Sequence, residues 1–342
     1  MSRKPINRRD VHRELFPQGD QFRMMKQSLT AILIGASVFG LCACSNAATG
    51  QNLLEEAKSN STTASASQDA KSNAPAMWEI KDENSTLYVL GTFHILPADL
   101  EWKTPVFEAA MADAENTITE ADTSSPAATL AVQRAVGELG INPKGTTLSS
   151  ILGTERHARF AAMSEKFGIP ASALETFKPW LAVITVSVTA LQSYGYDPAS
   201  GVDSLVIEQA TAEGDTLSYF ETAEEQIRVL ASLDEEEMIA NFDVSVDQLE
   251  DFETISKQML DAWATGDTVA LQEAFVTELQ EQSPDAFEKV LVARNINWAN
   301  QVETLLAGEG DYLIAVGAGH LVGEKSLIDL LDKRGITATR IQ

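Results

Sequence analysis

Two of the four histidines in this chain end the same short arrangement, and imidazole is the side chain best suited to move a proton or bind a metal near neutral pH. Leu90-Gly91-Thr92-Phe93-His94 follows an apolar run at 87–90, and Val316-Gly317-Ala318-Gly319-His320 follows another at 312–316. Glycine is 20 of 342 residues, so a glycine three places ahead of two of the three histidines beyond His12 is a coincidence of roughly 1%. Glycine suits a chain that turns as it leaves a strand, because it tolerates positive φ and close backbone approach. Ligands of an open α/β sheet bind beyond the carboxyl ends of its strands. If both runs are parallel strands of one sheet, His94 and His320 face each other from one edge, although most of the chain lies between them.

Carboxylates complete such a site. Glu120, in Glu120-Ala121-Asp122 after the β-prone residues 116–119, is the first candidate as ligand or base. Its alternative role, shared with Asp122, is to cap the segment that follows. Glu221 comes after the short run at 217–220 and is the second candidate, or else a charge at a helix N-terminus. Arg294 reads as a cation for an oxyanion or a substrate carboxylate, or as a structural ion-pair partner. Asp203, in Gly201-Val202-Asp203, reads as a charge at a helix start and is also carried as a substrate-binding candidate. Two imidazoles, a carboxylate and an open position for water make a minimal catalytic metal site, for zinc, or for manganese or cobalt with added carboxylates. Such a metal lowers the pKa of its water and polarises a carbonyl, which suits hydrolysis. His157 reads as a solvated surface residue, Gly91 and Gly317 as turn formers, and Trp180 and Trp298 as core. The sequence holds no G-x-S-x-G elbow, P-loop or H-E-x-x-H, so serine-nucleophile, nucleotide-cradling and single-helix zinc chemistries are not indicated.

The elements that must position these residues follow from periodicity. A hairpin across 82–85 leads into the first apolar strand. Helices are expected over 106–114, 126–139, 154–168, about 180–191, 201–212, 222–233, 235–264, 268–281, 284–307 and 323–333. Strands are expected at 116–119, 217–220, 312–316 and 337–341. The fold class is therefore α/β, with a central, mostly parallel sheet built from N- and C-terminal parts around a long helical middle.

Composition bounds the partners. Lys and Arg number 25 against 50 Asp and Glu, a formal charge of −25 in 342 residues, so a nucleic-acid partner is not expected. The two cysteines, Cys42 and Cys44, end an apolar run at 29–43 that follows Lys26, the pattern of a bacterial lipoprotein signal peptide. Residues 1–43 are thus expected to be removed, with Met24 or Met25 as a possible true start, and Cys44 to be acylated and held in a lipid bilayer. Residues 44–76, rich in Ser, Ala, Asn and Thr, read as a disordered tether, and 77–342 as one α/β domain. Ser45 favours the outer membrane, with the domain facing the periplasm.

The ordered motifs resemble the TraB/GumN family, which includes the Tiki proteins. Gly-Thr-Phe-His at 91–94 and Gly-Ala-Gly-His at 317–320 are similar to its two G-x-x-H motifs, and Glu120-Ala121-Asp122 to its acidic E-x-D. Lys178-Pro179-Trp180, Gly195-Tyr196-Asp197, Gly201-Val202-Asp203, Phe220-Glu221-Thr222 with Gln226, and Arg294-Asn295 before Trp298 follow its middle pattern in order, with Phe220 in place of leucine. The resemblance implies a fold like that of erythromycin esterase and the haem-binding ChaN proteins. It also implies a metal-dependent hydrolase, peptidase- or amidase-like, using the two G-x-x-H histidines and an acidic residue; with the residue reading above, His94, His320 and Glu120 are expected to bind the metal and Glu120, Glu221 and Arg294 to serve catalysis. A lipoprotein that captures a peptide or haem in the same cleft without turnover is the alternative.

Overall fold

A computed structural model describes residues 73–342. The expectations for the signal peptide, the start codon and acylated Cys44 lie outside the described residues. Of the segment read as tether, Ala74 donates its N–H to the Ala264 carbonyl and Ala76 accepts from Gly91.

The strands are β1 (Met77–Lys81), β2 (Ser85–Thr92), β3 (Leu96–Pro97), β4 (Asn116–Thr119), β5 (Tyr196–Asp197), β6 (Thr216–Tyr219), β7 (Gly310–Gly317) and β8 (Thr339–Arg340). Six of them form one sheet in the order β6-β4-β7-β2-β1-β8. β6, β4, β7 and β2 are parallel to one another, while β1 pairs antiparallel with both β2 and β8. β7, from near the C-terminus, is thus inserted between β2 and β4, which both precede residue 120. The fold is the α/β architecture read from the sequence.

Side chains of β7 alternate between faces, as a strand buried on both sides requires. Leu313 and Ala315 join the larger core, and Ile314 and Val316 the smaller one on the opposite face. The main helices are α1 (Pro105–Asp113), α2 (Pro126–Leu139), α3 (Leu148–Lys166), α4 (Pro179–Ser193), α5 (Val202–Glu213), α6 (Ala223–Ala231), α7 (Phe242–Glu250), α8 (Phe252–Ala264), α9 (Ala293–Leu306) and α10 (Leu327–Lys333). α9 and α10 cover the smaller core through Trp298, Val302, Leu327 and Leu331. Proline opens α1, α2 and α4, where its missing N–H has no partner to lose. Thr222 and Glu225 form a capping box at the start of α6.

Three expectations change in the structure. The helix expected over 235–264 is broken at Asn241 and Asp251. A straight helix would carry its apolar stripe away from the core, and the breaks let Phe242, Leu249 and Phe252 all be buried. The helices expected over 268–281 and 284–307 contain π-helical segments at Gln272–Thr277 and Phe287–Val292. α3 begins at Leu148, six residues ahead of the expected 154, with a kink at Gly153, whose φ of 75° is open to glycine.

Two contacts hold the loop after β2. The short β3–β5 pair ties residues 96–97 to 196–197. Val202 donates its N–H to the Phe93 carbonyl at 2.9 Å, and a Cβ on Gly201 would stand 2.0 Å from the His94 carbonyl oxygen. Only glycine admits that approach. Gly201→Ala is expected to lower stability by about 1–3 kcal/mol through this clash, and a denaturant midpoint matching wild type would rule the packing out.

Candidate active site

Register explains why distant residues meet. Thr92 pairs with Gly317 across β2 and β7, and Thr119 pairs with Ala315 and with Tyr219 across β4's two neighbours. Four parallel strands therefore end along one edge, and each delivers one residue just beyond its end: His94 after β2, Glu120 after β4, Glu221 after β6 and His320 after β7. Arg294 reaches the same place from the first turn of α9, and Asp203 from the first turn of α5.

Arg294 is the hub. Its side chain is 7% exposed, with Glu120 at 4% and Glu221 at 7%. Nε–H donates to Glu221; Nη1 donates to the Val290 carbonyl at 3.1 Å and to His320 Nε2 at 2.9 Å; Nη2 donates to Glu120 Oε2 at 2.6 Å and to Glu221 Oε1. All five N–H groups of the guanidinium are engaged. Gln226 links both carboxylates, donating to Glu120 Oε2 at 3.1 Å and to Glu221 Oε1 at 3.0 Å. Trp298 lies beneath, its ring 4.7 Å from the guanidinium carbon and 4.3 Å from the His320 ring.

The two histidines are in opposite electrostatic settings. Asn295 Oδ1 accepts from His320 Nδ1–H at 2.6 Å, which leaves Nε2 as the acceptor for Arg294. Burial, the Arg294 cation and His94 pull His320 well below 6.5, so it is a neutral, fully committed imidazole. His94 donates Nδ1–H to Asp203 Oδ2 at 2.6 Å, and Asp203 Oδ1 accepts from Thr92 Oγ1 at 2.9 Å. Burial lowers the His94 pKa, but the Asp203 charge and hydrogen bond outweigh it and hold the value at about 8. His94 Nε2 is buried and has no hydrogen-bond partner.

That free nitrogen opens on a cleft lined by Phe93, Phe275, Leu279, Val290, Leu291 and Ala318, with about 30 Å³ of free interior, enough to hold water. A Cβ on Gly317 would stand 2.9 Å from Glu120 Oε1 and 3.6 Å from both His94 Nε2 and His320 Cδ2. Both imidazoles and Glu120 thus border one small space, kept open by a missing side chain. Gly91 and Gly317 have negative φ, against the expectation of turn formers. They serve close approach instead, Gly91 against Ala318.

A shared metal does not fit this arrangement. His320 Nε2 faces Arg294, Glu120 Oε2 takes Arg294 and Gln226, and Glu120 Oε1 takes the Gly317 N–H at 2.7 Å. That leaves His94 Nε2 and one lone pair of Glu120 Oε1, fewer than the three protein donors of a catalytic site, and a divalent cation would stand beside a buried guanidinium. Among the described residues no group of three or more His, Cys, Asp or Glu is arranged to hold a metal ion.

Other sequence candidates fall as follows. Glu221 joins the Arg294 cluster; burial pushes its carboxyl pKa up, against the opposing pull of Arg294. Asp122 Oδ1 accepts from the N–H groups of Ser124 and Ser125, turning the chain into α2. Asp203 lies behind His94, which it orients. His157 pairs with Glu175 at 2.8 Å on α3, outside the cleft lining. Sequence reasoning assigned no role to Thr92, Gln226 or Asn295. The signal for Asn295 is its place beside Arg294, two polar residues buried together in one helix turn.

The fold and site define an α/β protein with a histidine–carboxylate–arginine cluster at the carboxyl edge of its parallel strands. The chain belongs to the TraB/PrgY/gumN family, whose model matches residues 76–340. It is similar to the uncharacterized protein YbaP of Escherichia coli (strain K12), 23% identical over 251 residues that cover 72% of this chain and 88% of that protein. A Shigella flexneri protein of the same name matches with the same identity and coverage. No solved structure matches the chain.

Arg294→Met leaves two buried carboxylates without their cation and is expected to cost about 3–5 kcal/mol, read by urea unfolding. Lysine, with three donors, is expected not to restore that loss. Stability should also depend on pH. The His94 pKa of about 8 stands above its ordinary 6.5, so the stabilisation from protonated His94 and Asp203 is complete below 6.5 and is lost as pH rises through 8. His320 acts in the other direction: held well below 6.5, it contributes stability above 6.5 that is lost as pH falls below it. Thermal midpoints are expected to peak near pH 6.5, and Asp203→Asn to flatten the limb between 6.5 and 8. A wild-type midpoint constant across that limb would contradict the pairing.

Proposed function

We propose that the protein is a hydrolase of acyl bonds, an ester or amide such as a peptide bond, in which His94 is the general base and Asp203 its orienting partner. The observation that carries the reading is the buried, uncommitted Nε2 of His94, aimed into a cleft while Nδ1 is anchored on a carboxylate. An imidazole held in one tautomer by a carboxylate behind it is the arrangement of a positioned base.

In the proposed reaction a water enters the space beside Gly317, between His94 Nε2 and Glu120 Oε1. Its oxygen attacks the substrate carbonyl carbon as Nε2 takes one proton. Asp203 stabilises the imidazolium that forms, and the surplus of buried carboxylates over cations in the cluster favours the same charge. The carbonyl reforms as the bond to the leaving oxygen or nitrogen breaks, and His94 returns its proton to that atom. Arg294, with every N–H engaged, holds Glu120, Glu221 and His320 in place and makes no contact of its own with substrate. The tetrahedral centre needs more room than one water occupies, so the cleft must widen to admit substrate. The π-helical segments that carry Phe275, Val290 and Leu291 are the movable wall, since π-helical turns have weaker registry than α-helix and recur at functional sites.

Manganese, cobalt or zinc takes no step in this proposal, because His320 Nε2 and Glu120 Oε2 are committed to Arg294 and Gln226. A bound haem takes no part in the proposed step. The cellular setting belongs to the proposal as well: acylated Cys44 anchors the domain at the outer membrane, with the cleft toward the periplasm.

His94→Ala is expected to lower the rate by about 10²–10⁴-fold with the fold intact. Because the base must be neutral, kcat/KM should rise with pH through about 8. Gly317→Ala, which fills the space for water, should abolish turnover. Chelation should leave the rate unchanged. Loss of activity on chelation, restored by added manganese, cobalt or zinc, would replace this mechanism with a metal-bound water. Tight binding of a peptide by wild type with no turnover at any pH would replace it with capture.

A further inference from the structure

The cleft walls and the charge of the cluster say which acyl groups suit it. Phe275, Leu279, Val290 and Leu291 form one wall, and Phe93 packs edge-on against Phe275 with ring centroids 5.7 Å apart. The Phe275 ring also lies over the second histidine turn, its Cδ1 3.5 Å from where a Cβ on Gly319 would stand. Phe275 therefore closes the cleft directly above the residues that precede His320.

With His94 neutral, as the proposed base must be, its Nε2 offers a lone pair and no cation in the cluster is free to receive an anion. Arg294 meets Glu120, Glu221, His320 and Val290 with all its donors. Glu120, Glu221 and Asp203 are three buried carboxylates against that single guanidinium. In that state a negatively charged group entering the cleft would lose its hydration, meet no unpaired donor and face like charge at close range. An uncharged apolar group would lose only unfavourable contact with water.

We propose that the acyl group taken by this cleft is uncharged and apolar, seated against Phe275, Leu279, Val290 and Leu291, and that acyl groups bearing a carboxylate are rejected. This rests on the hydrolytic reading above and names its substrate class.

The full chain is tested in two ways. The first compares turnover of p-nitrophenyl butyrate with that of the p-nitrophenyl monoester of succinate, at the pH of maximal rate. The butyrate is expected to have the higher kcat/KM by at least about tenfold. Phe275→Ala should shift preference toward longer acyl chains such as octanoate, also by about tenfold. The second, independent of hydrolysis, measures binding of phenylacetamide and phenylacetate by calorimetry at pH 9, where His94 is neutral, with the amide expected to bind about tenfold tighter. If no ester is hydrolysed but the amide preference holds, the catalytic reading fails and the specificity stands. If esters are hydrolysed but the succinate monoester is equal or better, the specificity is overturned and the catalytic reading stands. Equal binding of the amide and the acid would also overturn it, even were Phe275→Ala to prove unfolded.

Discussion

A single buried guanidinium organises this protein's candidate site. Burying a charge is costly unless partners replace the water it loses. Arg294 meets that condition with one carbonyl from the preceding turn and, from three neighbouring strand ends, one imidazole nitrogen and two carboxylates. Because each partner is buried too, removing any one of them leaves the others unsatisfied. The cluster is therefore a mutual constraint: it fixes Glu120 and Glu221 at the ends of β4 and β6, and it fixes the tautomer of His320 after β7. What it leaves over is His94, positioned separately by Asp203 and Thr92.

The separation of these two networks gives the site its chemical character. Arg294 and His320 are saturated and therefore inert as donors or ligands. His94 has one nitrogen bound to a carboxylate and one open to the cleft, so reactivity is concentrated on a single atom. This is why two histidines in matching sequence settings have different roles. The strand-turn pattern places both at the sheet edge, but the neighbour on the next helix decides whether an imidazole is free. For His320 that neighbour is Arg294 on α9; for His94 it is Asp203 on α5.

Much of the fold was legible before the structure. The apolar runs at 87–90 and 312–316 form central strands, 116–119 is a strand, and 126–139 is a helix between Pro126 and Gly140. These follow from local chemistry: continuous apolar runs are buried on both faces, proline opens helices, and glycine ends them. The breaks at Asn241 and Asp251 and the two π-helical segments were not legible, because the helical period continues through them and only packing against the core decides where the chain bends. Around the candidate site, His94, His320, Glu120 and Glu221 were singled out by residue type and place after a strand, and Arg294 by its charge and the motif shared with the family. Gly201 read as part of a helix start, whereas its role is to admit the His94 carbonyl.

Sequence alone determined which groups arrive at the carboxyl edge of the sheet, because strand ends and glycine turns are local properties of a few consecutive residues. Tertiary structure alone decided which of those groups remain available. Whether Arg294 has a spare N–H, whether His320 has a free lone pair, and whether three ligands point at one metal depend on angles and distances between segments far apart in the chain. Hydrogen-bond capacity is finite and directional, so a side chain's chemistry is set by which partners have already taken its donors and acceptors.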